Sequence, residues 1–175
     1  IEANADVNLA TTDDDWTALA GPGETPLYAA ASEGHEKCVA MLIEANADVN
    51  LARTNDRCTP LYAAARNGHE KCVAMLIKAN ADVNLARTNN GETPLFAAAS
   101  EGHEKCVAML IKANADVNLA DDDGQTPLYI AASNGHEKCV ATLIKGNADV
   151  SLTTNNDMTP LYRAAYNGHE NCVAT

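Results

Sequence analysis

The chain has 175 residues, 46% hydrophobic but only 4% aromatic, so its apolar content is mostly Ala, Val and Leu. Twelve Lys and Arg stand against 24 Asp and Glu, for a formal net charge of −12. That balance argues against nucleic acid and against anionic membrane surfaces, since both are bound through positive charge. The hydrophobic content is too high for an acidic disordered chain, and no run approaches the ~18 apolar residues of a spanning helix.

Three strings recur. Thr-Pro-Leu begins at Thr25, Thr59, Thr93, Thr126 and Thr159, at intervals of 34, 34, 33 and 33. Gly-His follows at Gly34, Gly68, Gly102, Gly135 and Gly168, and Asn-Ala-Asp-Val starts at Asn4, Asn46, Asn80, Asn114 and Asn147. A period of this length marks a stacked array of small units, not a domain around one central core.

In chain order, residues 1–10 match residues 43–52, so the chain starts in the tail of a second helix. An irregular segment follows. Val7 and Val49 are 42 residues apart where 33 or 34 is expected, and TTDDDWTALA copies the form of TTNNDMTPLY at 153–162. Either most of a unit is missing or residues 11–24 form a genuine long loop. In the second case Trp16 is its anchor, and Gly21-Pro22-Gly23 is a turn. Four complete units then run over 25–58, 59–92, 93–125 and 126–158, and a partial one over 159–175. Neither end reads as a polar cap, so the chain is expected to be a fragment of a longer array.

Each unit predicts two short helices and a loop. In 59–92, Thr59 caps the first helix and Pro60 suits its first position. Leu61, Ala64 and Ala65 form its apolar side, and Asn67-Gly68 ends it. The second helix runs from about His69 or Glu70 to Lys78, burying Cys72, Val73, Leu76 and Ile77 at helical spacing. Asn80 stops it in the left-handed conformation, and Ala81 to Thr93 form the loop, anchored by Val83. Neither helix is long enough to stand alone in water.

The string TPLYAAARNGHEKCVAMLIKANADVNLARTNNGE at 59–92 resembles the ankyrin repeat in almost every position, and the resemblance covers nearly the whole chain. It implies an all-α repeat solenoid: antiparallel helix pairs joined by β-hairpin loops. Two departures are systematic. Tyr28, Tyr62, Phe96, Tyr129 and Tyr162 stand where the family usually has His, and Asn46 and its counterparts replace a usual Gly. Because Phe96 lacks a hydroxyl, those of Tyr28, Tyr62 and Tyr129 are expected to be peripheral to stability.

Five cysteines recur once per unit, at Cys38, Cys72, Cys106, Cys139 and Cys172, and each reads as a small buried hydrophobe. Stacked helices about 10 Å apart exceed the ~5.5 Å Cα separation of a disulfide, which suits a reducing, intracellular and cytoplasmic setting. Cys58 alone falls in a loop and is the one to test for reactivity. The His35/Cys38 and His69/Cys72 pairs offer too few convergent ligands for zinc. Asp121-Asp122-Asp123-Gly124 lacks the spacing of a calcium loop, with Ala132 at the twelfth position. No nucleophile, phosphate loop or metalloprotease motif occurs. The expectation is therefore a non-enzyme with no cofactor, no metal, no nucleic-acid partner and no membrane partner.

Positions that vary between units are not fixed by packing. The loop tips read TNDRC at 54–58, TNNGE at 88–92, DDDGQ at 121–125 and TNNDM at 154–158. A second varying pair ends the first helix: Ser32-Glu33, Arg66-Asn67, Ser100-Glu101, Ser133-Asn134 and Tyr166-Asn167. The resemblance implies that these two sets line one concave face carrying protein contacts. The candidates are Arg57, Arg66, Asn89, Asn90, Glu101, Asp122, Asp123, Asn134, Met158, Arg163 and Tyr166, with Arg and aromatic residues as anchors. The expected role is a monomeric protein-interaction scaffold whose partner has a basic or mixed polar surface. A spacer array without a partner, or the targeting arm of a fused enzyme, remain open alternatives. In some ankyrin repeats the Asn of Ala-Asp-Val-Asn is hydroxylated by an iron- and oxoglutarate-dependent enzyme. The matching residues are Asn8, Asn50, Asn84 and Asn118, with Ser151 breaking the series.

Overall fold

A computed structural model describes residues 6–11 and 23–175. Trp16, the acidic run Asp13–Asp15, Gly21-Pro22, and the choice between long loop and missing unit all lie outside the described residues.

Ten helices form five pairs among the described residues. The first helices are α1 (Pro26–Ser32), α3 (Pro60–Arg66), α5 (Pro94–Ser100), α7 (Pro127–Ser133) and α9 (Pro160–Tyr166). The second helices are α2 (Glu36–Glu44), α4 (Glu70–Lys78), α6 (Glu104–Lys112), α8 (Glu137–Lys145) and α10 (Glu170–Ala174). Each first helix packs on the next first helix and each second helix on the next second helix, with the two members of every pair in contact. The result is a two-layer solenoid.

Local chemistry sets the helix ends. Thr59 Oγ1 accepts the Tyr62 N–H at 3.1 Å, and Thr25, Thr93, Thr126 and Thr159 cap the same way. Losing such a cap costs about 1 kcal/mol. Gly68 ends α3 at φ +72, and a Cβ there would lie 2.6 Å from the His103 ring. The position therefore needs Gly both for its backbone conformation and for the close approach of the next unit. Asn46, Asn80, Asn114 and Asn147 stop the second helices at φ 62, 63, 65 and 67, as expected for the residue type best able to replace Gly there.

Beyond each stop, a side-chain ladder joins the turns. Asn8, Asn50, Asn84 and Asn118 each accept, through Oδ1, the backbone N–H of Asp48, Asp82, Asp116 and Asp149 respectively, all at 2.8 Å. Ser151 instead donates back to Asp149 of its own turn. The loops close as hairpin turns, for example Arg87 N–H to Glu92 C=O at 2.9 Å, with no β-ladder among the described residues.

The core is a continuous column of Leu27, Leu61, Leu95 and Leu128 with Val39, Val73 and Val107, layered with alanines. Small side chains let neighbouring backbones approach, which suits helices of seven and nine residues that cannot bury an apolar face alone. Leu61 and Leu95 are fully buried, whereas Leu161, on the last first helix, is 58% exposed. Leu161 and Val173 line an apolar cavity of about 280 Å³ beside α9.

The cysteine readings need two corrections. Cys72, Cys106, Cys139 and Cys172 are buried, but Cys38 is exposed, because no second helix precedes α2 among the described residues. Cys58, read as a loop thiol to test for reactivity, is buried in a smaller cluster with Tyr28, Tyr62, Ala63 and Ala97.

Candidate interaction face

The loop tips and first helices share one surface. Tyr62, Arg66, Arg87, Glu92, Ser100 and Glu101 line a polar hollow of about 190 Å³. Next to it, sharing Glu92, Phe96 and Ser100, is a larger hollow of about 430 Å³, reached by Asn89, Asn90, Asp121, Asp122, Asp123 and Gln125.

Two loops carry arginines that build this face, and the sequence reading missed both. Arg53 bonds Glu24 at 3.0 Å and Asp56, with its guanidinium 4.9 Å from the centre of the Tyr28 ring. Arg87 bonds Glu92 at 3.2 Å and Asp56 at 3.4 Å, and lies 5.2 Å from the Tyr62 ring centre. The Tyr62 hydroxyl donates to Glu92 Oε2 and accepts from Arg87 Nη1 at 3.2 Å. Charges therefore alternate across the loops: Glu24, Arg53, Asp56, Arg87, Glu92. The side chains of these groups are 13–23% exposed, so their attraction is screened less than that of an open surface pair. Arg87 Nε is buried without a hydrogen-bond partner among the described residues, a local cost within the network.

The Tyr62 hydroxyl is thus not peripheral. Burial, followed by the Glu92 bond, raises its pKa well above the ordinary phenol value. Burial also pushes the Tyr28 phenol up to about 12, against the pull of Arg53. Burial works against the Asp56 carboxylate, but bonds from Arg53 and Cys58 outweigh it and hold its pKa below the usual range. The Cys58 thiol donates to Asp56 at 3.1 Å. Burial and that carboxylate push it up to about 12, the opposite of a reactive thiolate.

The arginines belong to the longer spacing. Where Thr-Pro-Leu recurs at 34 residues, the loop closes from Arg53 N–H to Cys58 C=O or from Arg87 N–H to Glu92 C=O. Where it recurs at 33, Asp121 N–H closes to Gln125 C=O and Thr154 N–H to Met158 C=O. The extra residue sits within the loop, and an arginine opens each longer loop. That coincidence was visible in the sequence.

The tips also touch one another. Asp122 N–H bonds Asn90 C=O, and Asn155 N–H bonds Asp123 C=O, both at 3.0 Å. Gly91 permits the first contact, since a Cβ there would lie 2.7 Å from Asp122 Oδ1. Arg57 occupies the corresponding position at φ 59.

The candidate residues divide by what already holds them. Arg57, Asn89, Asp122 and Asp123 are exposed, and their side chains make no hydrogen bond or ion pair among the described residues. Asn90 accepts weakly from Glu92 N–H at 3.4 Å. Arg66 and Glu101 face each other at 3.9 Å, each about half exposed. Met158 lies 4.0 Å from the Tyr129 hydroxyl. Arg163 approaches the Tyr166 ring at 5.7 Å, and Tyr166 stacks with Tyr162.

Asn134 is different: its Nδ2 donates to the Ser100 carbonyl at 2.9 Å, beside His136 Nε2 at the same oxygen. Asn67 and Asn167 clamp Ser32 and Ser133 in the same way. Variation between units does not mean freedom from packing here. Ser in one unit is met by Asn in the next, and Arg66 is met by Glu101.

The architecture is that of a helical repeat solenoid. A family model described as "Ankyrin repeats (3 copies)" matches residues 1–87, 53–121, 83–154 and 113–175, which together span the sequence, and the chain belongs to the ankyrin-repeat family. No curated protein matches it. Ankyrin repeats are generally protein-interaction modules and typically non-catalytic. No helix among the described residues is long and apolar enough to cross a membrane.

Proposed function

We propose that the chain is a non-catalytic, monomeric scaffold that binds a protein partner through the concave face formed by loop tips and first helices. The observation that carries this reading is the pair of adjoining hollows from Arg66 and Arg87 to Asp121, Asp122 and Asp123. Asn89, Asp122 and Asp123 are exposed beside them, and their side chains make no hydrogen bond or ion pair among the described residues. Such groups are available to an interface without first breaking a bond. The hollows favour a basic or mixed polar partner surface over an apolar one. The functional units are 25–58, 59–92, 93–125 and 126–158, and the setting is intracellular and cytoplasmic.

Site-specific photo-crosslinking tests the face. A crosslinker at Asn89 or Glu101 should capture a partner, while one at Lys105, on a second helix, should not. Capture from Lys105 alone would overturn the assignment.

A separate reading concerns Asn50, Asn84 and Asn118 as sites of asparaginyl hydroxylation, with each side chain already positioned by its ladder bond. Peptide mass spectrometry of protein from its native cells would show an added oxygen at these residues. Unmodified peptides from all three would remove the reading.

A further inference from the structure

We propose that the hollow between loops 88–92 and 121–125 receives an arginine side chain of the partner, supplied in trans at a level where the two preceding loops supply one of their own. The proposal rests on the concave-face reading above.

Arg53 and Arg87 show what a guanidinium does on this surface. Each lies over the ring three residues beyond the cap threonine, Tyr28 or Tyr62, and each joins carboxylates from successive loops. The next level has the ring, Phe96, and the preceding carboxylate, Glu92, standing where Glu24 stands for Arg53. It lacks the arginine, because the loop is one residue shorter and Asp121 opens it.

The missing cation leaves acceptors unused. Both bonds received by Glu92, from the Tyr62 hydroxyl and Arg87, fall on Oε2, and Oε1 has no partner among the described residues. The carboxylates of Asp122 and Asp123 are likewise unpaired within the described chain. Among the described residues no basic side chain lines the hollow, which measures about 430 Å³, within the range of ligand pockets (about 300–1,000 Å³). The acidic surroundings act on Asp121, whose pKa is raised by burial and further by Asp123 and Glu92, against two backbone bonds.

The geometry suits arginine better than lysine. A planar guanidinium can bond two carboxylates at once, as Arg53 does with Glu24 and Asp56, and it is more weakly hydrated than an ammonium. Its methylene stem would rest against Phe96 and Ile130 at the wall. Phe96 is 4% exposed, so it offers its rim and not an open face. Selectivity therefore comes mainly from the carboxylates and the Gln125 amide.

The test uses the full chain, isotope-labelled, titrated with N-acetyl-arginine methylamide and separately with the lysine counterpart. The arginine probe should shift the NMR signals of Glu92, Asp122, Asp123, Gln125 and the Phe96 ring, and the lysine probe should bind more weakly. Replacing Asp122→Asn and Asp123→Asn together should weaken the arginine probe about fivefold or more. Inserting an arginine after Ala120, which restores the longer loop, should fill the hollow and abolish binding. If the insertion does not fold, the double Asn variant decides. Shifts spread over all acidic loops, equal affinity for both probes, or indifference to the double variant would overturn the proposal. A partner that crosslinks from Asn89 but ignores the double variant would overturn this inference and leave the concave-face reading standing.

Discussion

The Arg87 guanidinium lies over the Tyr62 ring, 5.2 Å from its centre, while donating to that ring's hydroxyl at 3.2 Å. One residue thus joins a loop to the helix that begins its own unit, and Glu92 completes the triangle. Tyr62→Phe removes a donor that Glu92 uses and an acceptor that Arg87 uses. Arg87 and Glu92 keep their bond to each other, so the cost should be about 1–3 kcal/mol, the range for losing hydrogen bonds to charged groups. Tyr129→Phe, whose hydroxyl has only a distant sulfur partner among the described residues, should cost under about 0.5 kcal/mol. Chemical denaturation of the two variants checks the difference. Equal, small losses would restore the expectation that all these hydroxyls are peripheral.

Asp56 and Asp121 should respond oppositely to acid. The folded pKa of Asp56 is lowered. Its contribution to stability is present above the unfolded value of about 3.9 and is lost as pH falls toward the lower folded value. The folded pKa of Asp121 is raised, so the native state gains relative stability as pH falls through that value. Asp56→Asn should flatten the loss of stability below about pH 4, and Asp121→Asn should leave that loss intact. Denaturation midpoints measured from neutral to acid pH report both.

Thiol labelling should distinguish the six cysteines. Cys38 is exposed and should react first with a small alkylating reagent. Cys58, with its pKa pushed up to about 12, should react only on unfolding. Cys106 and Cys139, each pushed up to about 11 by burial followed by neighbouring carboxylates, should also stay protected. Peptide mapping of a brief labelling reaction identifies the first site, and fast labelling of Cys58 would contradict its burial.

Leu95→Ala removes a fully buried side chain between neighbouring units. Transfer and cavity effects together should cost about 2–5 kcal/mol, read by denaturant unfolding. A loss under about 0.5 kcal/mol would contradict its place in the core.

What was legible from sequence was mostly local. Thr59, Pro60 and Asn80 act through their own backbone geometry, so residue type and position suffice. The burial of Leu61 and Leu95 followed from helical spacing within a repeated unit. The Arg87–Tyr62 contact was not legible in that way, because it depends on a loop folding back over a helix that begins 27 residues earlier. The burial of Cys58 was not legible, because a loop position does not reveal packing, and here the loop root clusters with Tyr28 and Tyr62. Asn134, a candidate contact residue, also clamps Ser100, which was not legible while a changing position was equated with a free one. Its partner Ser100 changes in step, and only a comparison across successive units reveals that.

On the proposed reading, the loop-tip face binds a partner through its acidic end. Once crosslinking supplies that partner, association rates should be measured against salt concentration for the native chain and for the Asp122→Asn, Asp123→Asn double variant. The variant should associate more slowly with a shallower salt dependence, and its thermal unfolding should be nearly unchanged, because exposed charges act on encounter more than on the fold. An unchanged rate and salt slope in a folded variant would contradict the claim.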